Sequence, residues 1–392
     1  MNVDFLPGNR VDLLETGREF FPALIDAIAR ARCEVCLETY IFAADPSGRA
    51  VTAALGAAAR RGVDVRVLVD GFGASDFPGG LGLDLLAAGA KLRVYRPEVG
   101  RLRLRRHRLR RLHRKLAVID GRIAFVGGIN LIDDCNNEDR PGLGPRFDYA
   151  VRVAGPLVAR IHAHMLRLWR IVGWAQLRRR PPALAPGPCA SDAPAGTTSA
   201  AFVVRDNLRH RRAIEDAYLA AIAAAREDIL IASAYFLPGR RFRHALLDAA
   251  ARGVRVTVLL QGRVEYALLH YATQALYRQL LEGGIRVLEY QAGFLHAKVA
   301  VIDDAWATVG SSNIDPFSLL LAREANVVVQ DAAFAARLRA SLARAITRDA
   351  VEITHADFRR SSLLARTARW LAYGLVRLML GITRYGGEDY RE

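Results

Sequence analysis

Lysine is nearly absent from this chain. Of its 56 basic residues 53 are arginine, and only Lys91, Lys115 and Lys298 are lysine. Long apolar runs are missing too: no uninterrupted stretch reaches the ~18 residues of a spanning segment, so no transmembrane helix is predicted. The N-terminus, MNVDFLPGNRVDLLETG, lacks the basic-then-apolar order of a signal peptide. Cysteine is limited to Cys33, Cys36, Cys135 and Cys189. Cys33-x-x-Cys36 sits in an apolar run without a second ligand pair, and tetrahedral zinc needs four ligands. Buried structural cysteines are therefore expected, with no disulfide framework, a usage that suits a reducing cytosol. No metal and no cofactor is expected.

What is present is apolar and basic. A length of 392 residues with 52% hydrophobic composition suggests two globular domains with substantial cores. A formal charge of +16 favours an anionic partner, whether nucleic acid, anionic membrane or phosphorylated substrate.

The chain repeats itself. ARCEVCLETYIF (from Ala31), AVTAALGAAARRG and VDVRVLVDGFG match AREDILIASAYF (from Ala225), RFRHALLDAAARG and VRVTVLLQG in order and character. Strand, helix ended by Gly, strand reads as a βαβ unit in each half. Both halves then reach one cassette, LHRKLAVIDGRIAFVGGIN (Leu112–Asn130) and LHAKVAVIDDAWATVGSSN (Leu295–Asn313). The expected organisation is an N-terminal domain over 1–180, a Pro/Ala-rich linker over 181–200, a C-terminal domain over 201–350 and an amphipathic tail over 351–392. In that tail Trp370, Tyr373 and leucines alternate with Arg366, Arg369, Arg377 and Arg384, which suits either a helix in a membrane interface or a terminal helix packed on the globule.

Along a strand, His113 and Lys115 point the same way, about 7 Å apart, as do His296 and Lys298. A two-residue turn at Gly121-Arg122 sets Asn130 opposite His113 and Gly128 opposite Lys115. The matching turn at Asp304-Ala305 sets Asn313 opposite His296 and Ser311 opposite Lys298. Asp120 and Asp303 end their strands and read as structural residues of the turns. A His-Lys-Asn set around a small residue suits an oxyanion, since Lys supplies charge, Asn an amide donor and Gly128 or Ser311 leaves space. Arginine serves wherever a generic cation suffices, yet two of the three lysines fall at equivalent places in the cassettes. A compact ammonium beside a phosphate is not interchangeable with a planar guanidinium.

Two such sets facing each other permit double displacement: one imidazole attacks phosphorus while the other protonates the leaving alcohol and deprotonates the incoming one. Each imidazole needs a partner on its second nitrogen, and Asp148 in RFDYAVRV and Glu324 in REANVVVQ are the candidates. Tyr235, with Arg240 close behind, occupies a strand-to-helix junction matching Tyr40, where it either lines a headgroup site or packs in the core.

The two HxKxxxxD motifs, His113-x-Lys115 to Asp120 and His296-x-Lys298 to Asp303, each followed by a Gly/Ser-rich turn and Asn130 or Asn313, resemble the phospholipase D superfamily. More narrowly the chain is similar to bacterial cardiolipin synthases, especially the B type lacking N-terminal membrane spans, over roughly residues 8–335. The resemblance implies an α/β fold of two phospholipase D-like domains, each a mixed sheet flanked by helices, related by a pseudo-twofold with the active site at their interface. It also implies metal-independent phosphatidyl transfer from one phosphatidylglycerol to another, yielding cardiolipin and glycerol. By the same resemblance His113 is the favoured nucleophile and His296 the acid/base, with Asp148 and Glu324 orienting His113 and His296. Internal symmetry leaves the two histidine roles open. The implied location is peripheral, on the cytoplasmic side of a bacterial membrane.

The rival readings are a phosphatidyltransferase or phospholipase using phosphatidylethanolamine, or a nuclease of the same superfamily. In RLRLRRHRLRRLHRKLAVID the arginines alternate with leucine and lack the interleaved aromatics that stack single strands. Arginine with leucine suits an anionic bilayer surface better, so phospholipid membrane rather than nucleic acid is the expected partner. A non-catalytic scaffold is disfavoured because both cassettes are complete. The sequence leaves the oligomeric state open.

Overall fold

The computed structural model describes residues 3–97, 111–136, 143–177, 187–206, 210–315, 322–360 and 363–382. The arginines of 101–110, linker positions 181–186 and the last ten residues lie outside the described residues.

The first half contributes β1 (Leu6–Glu15), β2 (Glu34–Thr39), β3 (Asp64–Asp70), β4 (Lys91–Tyr95), β5 (Lys115–Ile119), β6 (Ile123–Gly127), β7 (Gly144–Phe147) and β8 (Tyr149–Ala154). The second contributes β9 (Thr198–Arg205), β10 (Asp228–Ser233), β11 (Arg255–Gln261), β12 (Arg286–Tyr290), β13 (Gly293–Leu295), β14 (Lys298–Ile302), β15 (Trp306–Gly310), β16 (Glu324–Gln330) and β17 (Ala350–Ile353). β2 and β3 run parallel across the helix Pro46–Arg60, as do β10 and β11 across Arg240–Ala251, so both sequence-predicted βαβ units form. The first crossover helix starts where the sequence directs: Asp45 accepts a hydrogen bond from Gly48 N–H at 2.9 Å and Pro46 opens the helix.

All but β7 and β13 join one mixed sheet, ordered β17-β12-β11-β10-β14-β15-β16-β9-β1-β8-β6-β5-β2-β3-β4. Reading outward from the β9/β1 seam, the series 9-16-15-14-10-11-12 mirrors 1-8-6-5-2-3-4. The sheet's two faces are filled differently because successive side chains alternate. Leu116 and Val118 face a cluster that also takes in Val299 and Val301, with Ile161 and Met165 of the helix Leu157–Leu177 and Leu338 and Leu342 of the helix Ala332–Asp349. That core is common to both halves. Ala117 and Ile119 face a cluster confined to the first half, and Ala300 and Ile302 one essentially of the second.

Two sequence expectations fail here. The hairpins are in another register: Lys115 pairs with Gly127 and Lys298 stands one residue before the Val299–Val309 pair, so Lys298 is opposite Gly310 rather than Ser311. The turns have three residues rather than two, because Asp120 (φ 53°) and Asp303 (φ 46°) adopt the left-handed conformation. Each strained aspartate is stabilised by its carboxylate, which gathers three backbone N–H groups: Arg32, Cys33 and Glu34 onto Asp120, and Arg226, Glu227 and Asp228 onto Asp303. The second failure is cysteine. Cys33 is bonded to Cys189, 156 residues away, stapling the middle of the linker beside the Asp120 turn. Cys189 lies in a Pro/Ala-rich stretch without periodicity, so nothing in the sequence places it against β2.

The C-terminal helix Leu363–Ile382 lies on the helix Ala267–Gln274. Val376 is buried with Leu237, Ala272 and Leu276, Arg369 Nε donates to Gln274 Oε1 at 2.9 Å, and Tyr373 Oη accepts from Arg243 at 3.0 Å. Its other side presents Trp370, Leu371, Leu375 and Leu378 outward, at 62%, 68%, 47% and 59% exposure. Among the described residues no helix is long and apolar enough to cross a membrane.

Candidate active site

Each catalytic-type histidine occupies an extended residue just before a central strand, held from both sides. Leu112 N–H donates to Asp70 at 2.7 Å, within its own half, and His113 N–H donates to Arg323 O at 3.1 Å, in the other. The second half repeats the device: Leu295 N–H donates to Gln261 Oε1 at 3.2 Å and His296 N–H to Phe147 O at 2.8 Å. β13 and β7 pair in parallel across the halves at this point.

This backbone exchange decides the side-chain pairing. The residue after Arg323 is Glu324, and the residue after Phe147 is Asp148. His113 Nδ1 therefore meets Glu324 at 3.0 Å, and His296 Nδ1 meets Asp148 at 2.6 Å. The carboxylates serve the imidazoles crosswise, so the expectation that Asp148 accompanies His113 and Glu324 accompanies His296 is corrected. A contact between segments 148 and 211 residues apart carries no signal in a linear repeat. With Nδ1 engaged, each ring retains Nε2 for chemistry.

The small residues are explained by these carboxylates. A Cβ on Gly128 would stand 2.4 Å from Asp148 Oδ1, so only glycine admits the carboxylate. Ser311 instead donates to Glu324 at 2.5 Å and accepts from Ala325 N–H at 3.0 Å. Asn130 and Asn313 are both buried; Asn130 Oδ1 accepts from Ile41 N–H at 3.2 Å, which leaves its amide N–H groups as donors.

Electrostatics knit the two sets into one site. Lys115 Nζ donates to His113 O at 2.5 Å and lies 5.4 Å from the Tyr40 ring, which packs 4.9 Å from the His113 ring. Lys298 Nζ reaches Asp148 at 3.3 Å and also donates to His296 O. Burial pushes Lys115 down to about 7, with Glu324 opposing and Lys298 assisting, so the two ammonium groups feel one another. Burial lowers Lys298 as well, although Asp148 and Glu324 oppose the shift. Burial, and next the Lys298 charge, push His296 down to about 3. For Asp148 burial raises the carboxyl, but Lys298 and His296 more than offset it and hold it below the usual range. The two buried lysines, the two buried carboxylates and the imidazoles thus form one coupled charge network.

Among the remaining predicted residues, Asp120 and Asp303 lie at the turns rather than at the imidazoles. Tyr235 donates to Glu265 at 2.5 Å and lines a cleft with Gln261, Arg263 and Tyr266. Arg240 is exposed at the start of its helix and is not among the residues lining that cleft. Away from the site, Glu34, Cys36 and His162 are close enough to share a metal ion, but the Arg66 guanidinium lies 3.2 Å from Glu34 and 3.8 Å from Cys36 Sγ. That cation and the raised Cys36 thiol, pushed to about 12 by burial, suit an ion-paired core rather than a metal.

Sequence reasoning missed Asp70, Gln261 and Glu265. VLVDG and VLLQG do align Asp70 with Gln261, so the shared pin on the histidine segment had a visible signal. Glu265 has none, since its first-half equivalent is Ala74.

The family model described as a cardiolipin synthase, phospholipase D-like domain matches residues 24–169 and 218–346, one segment for each half-site. Cardiolipin synthase B of Salmonella typhi and that of Escherichia coli strain K12 are each 39% identical over 389 residues, spanning 96% of this chain and 90% of theirs. The major cardiolipin synthase of Bacillus subtilis is 32% identical over 342 residues, 85% of this chain and 68% of its own. Among solved structures, phosphatidylserine synthase of Haemophilus influenzae superposes with a TM-score of 0.68 at 14% identity, covering 98% of this chain and 97% of that one. At that identity the likeness concerns the fold alone.

Proposed function

We propose, for a chain that belongs to the phospholipase D-like family of cardiolipin synthases, that it transfers a phosphatidyl group from one phosphatidylglycerol to a second, giving cardiolipin and glycerol. The observation that carries this reading is the pair of His-Lys-Asn sets whose imidazoles are oriented by each other's half. Neither half, 1–180 or 201–350, holds a complete oriented histidine alone.

In the first step His113 Nε2 attacks phosphorus and the bond from phosphorus to the glycerol oxygen breaks; His296 Nε2–H gives its proton to that oxygen. In the second, the hydroxyl of another phosphatidylglycerol attacks phosphorus, its proton passes to His296, and the phosphorus–nitrogen bond to His113 breaks. Both histidines end as they began. Lys115, Lys298 and the amides of Asn130 and Asn313 bear on the non-bridging oxygens, supplying the charge stabilisation of the transition state. His296 is neutral in the empty site; the phosphodiester anion arriving between the lysines raises its proton affinity and so makes the acid the first step requires. Glu324 and Asp148 hold the rings and stabilise their charged forms.

The expected setting is an anionic membrane approached from its cytoplasmic side, with the apolar face of the C-terminal helix turned to the lipid. Purified protein given phosphatidylglycerol vesicles in EDTA should form cardiolipin, and His113→Ala or His296→Ala should each abolish it. Cleavage of single-stranded DNA without any lipid product would overturn the assignment.

A further inference from the structure

The two halves match at Asp70 and Gln261, yet diverge immediately afterwards. Asp70 spends its carboxylate on three backbone N–H groups, those of Leu112, Phe72 and Gly73, and four residues on stands Ala74, buried in the core. Four residues beyond Gln261 stands Glu265, half-exposed in a small open cleft at the carboxyl ends of β10 and β11. The fold is built without this carboxylate in one half, so folding does not explain it in the other.

The cleft abuts the acid/base histidine. Gln261, in its wall, accepts from the N–H of Leu295, and Ala234, also in its wall, donates to Ala297 O at 2.9 Å. Leu295 and Ala297 flank His296. Glu265 is near enough to Lys298 to oppose its loss of a proton. Tyr235, packed edge-on against Tyr266 at 5.7 Å, donates its hydroxyl to Glu265 Oε2, and burial together with that carboxylate keeps the phenol protonated. Among the described residues Oε1 has no hydrogen-bond partner and is left to accept from a ligand. A carboxylate fixed by a tyrosine hydroxyl beside Arg263 and Lys298 is poorly placed for an ammonium group and well placed for adjacent alcohol hydroxyls, which it can accept from without bringing in further positive charge.

Resting on the phosphatidyl-transfer reading above, we propose that Glu265, held by Tyr235, grips the free hydroxyl of the acceptor's glycerol headgroup while His296 takes the proton from the hydroxyl that attacks. The pair selects a polyol acceptor over water and simple alcohols.

The test is a competition on phosphatidylglycerol vesicles with ethanol added, resolving cardiolipin, phosphatidylethanol and phosphatidic acid. Ethanol reaches phosphorus but has no second hydroxyl. For Glu265→Ala the ratio of cardiolipin to phosphatidylethanol should fall about tenfold or more, the effect of losing a hydrogen bond to a charged group. Glu265→Gln, which keeps an acceptor oxygen and nearly the same shape, should give an intermediate ratio, and Tyr235→Phe a smaller fall. A ratio equal to wild type, or all products falling in step, overturns the inference. So does a loss in Glu265→Gln confined to transfer onto added ethanolamine, which would make the carboxylate an ammonium site. Wild-type protein that releases no glycerol from phosphatidylglycerol overturns the transfer reading and this inference together; wild-type turnover with unaltered variant ratios overturns this inference alone.

Discussion

Gly128→Ala places one methyl group in the first cassette and should disable the histidine of the second. The new Cβ would lie 2.4 and 2.5 Å from the Asp148 oxygens and 2.8 Å from Cγ, whereas ordinary contact begins at 3.4 Å. The carboxylate must retreat by about 1 Å, the difference between 3.4 and 2.4 Å. Moved along the hydrogen bond, that retreat stretches the 2.6 Å contact with His296 Nδ1 beyond bonding range. Loss of an orienting partner, or a 1 Å misplacement of a reacting group, costs roughly a hundredfold in rate, or about 2.7 kcal/mol of transition-state stabilisation. The assay is initial glycerol release from phosphatidylglycerol in mixed micelles, alongside thermal unfolding to verify the fold. Asp148→Asn should be similarly slow, and the double variant no slower than Asp148→Asn, because both act through one contact. Retention of kcat within threefold in folded Gly128→Ala, or full additivity of the two substitutions, would refute the crosswise arrangement as the source of the effect.

Lys115 titrates near 7 rather than near 10.5, so the unliganded site loses this charge as pH rises through neutrality, and kcat/KM for phosphatidylglycerol should fall above about pH 7 while kcat, measured with phosphate bound, falls less. Because the folded pKa is depressed, the native state binds fewer protons than the unfolded one between about 7 and 10.5, and Lys115 should add stability as pH rises across that window; a Lys115→Met protein with the same pH profile would contradict both statements. Leu371→Asp with Leu375→Asp leaves the buried Val376 face intact but charges the outward one, and should lower co-sedimentation with anionic vesicles severalfold while sparing turnover of micellar substrate; undiminished sedimentation would remove this helix from membrane attachment. Cys189→Ser should lower stability in non-reducing buffer by about 2–4 kcal/mol, through the release of a long closed loop, and a wild-type melting temperature indifferent to reductant would show that the bond does not contribute.

Much of the site was legible because its constraints are local. The spacing of His113 to Lys115 and His296 to Lys298 follows from strand alternation, and a chain that uses lysine three times draws the eye to the two that stand at equivalent places in the cassettes. The turn aspartates were readable as structural from their place after an apolar strand. Their left-handed backbone was not, and that single conformational choice displaced both hairpin registers by one residue. The C-terminal helix shows a different limit: its composition admitted either packing or interfacial exposure, and the folded chain packs one stripe and leaves the other exposed.

By itself, then, the sequence determined two copies of a phosphate-handling cassette and the strands that carry them, since these depend on residue type and short-range periodicity. The tertiary structure alone decided which carboxylate serves which imidazole, that Cys33 reaches Cys189, and that Glu265 stands in a cleft beside the His296 segment. Each of those rests on contacts between distant segments. β7 meeting β13, and Arg323 meeting His113, bring together groups whose separation along the chain carries no trace of their separation in space.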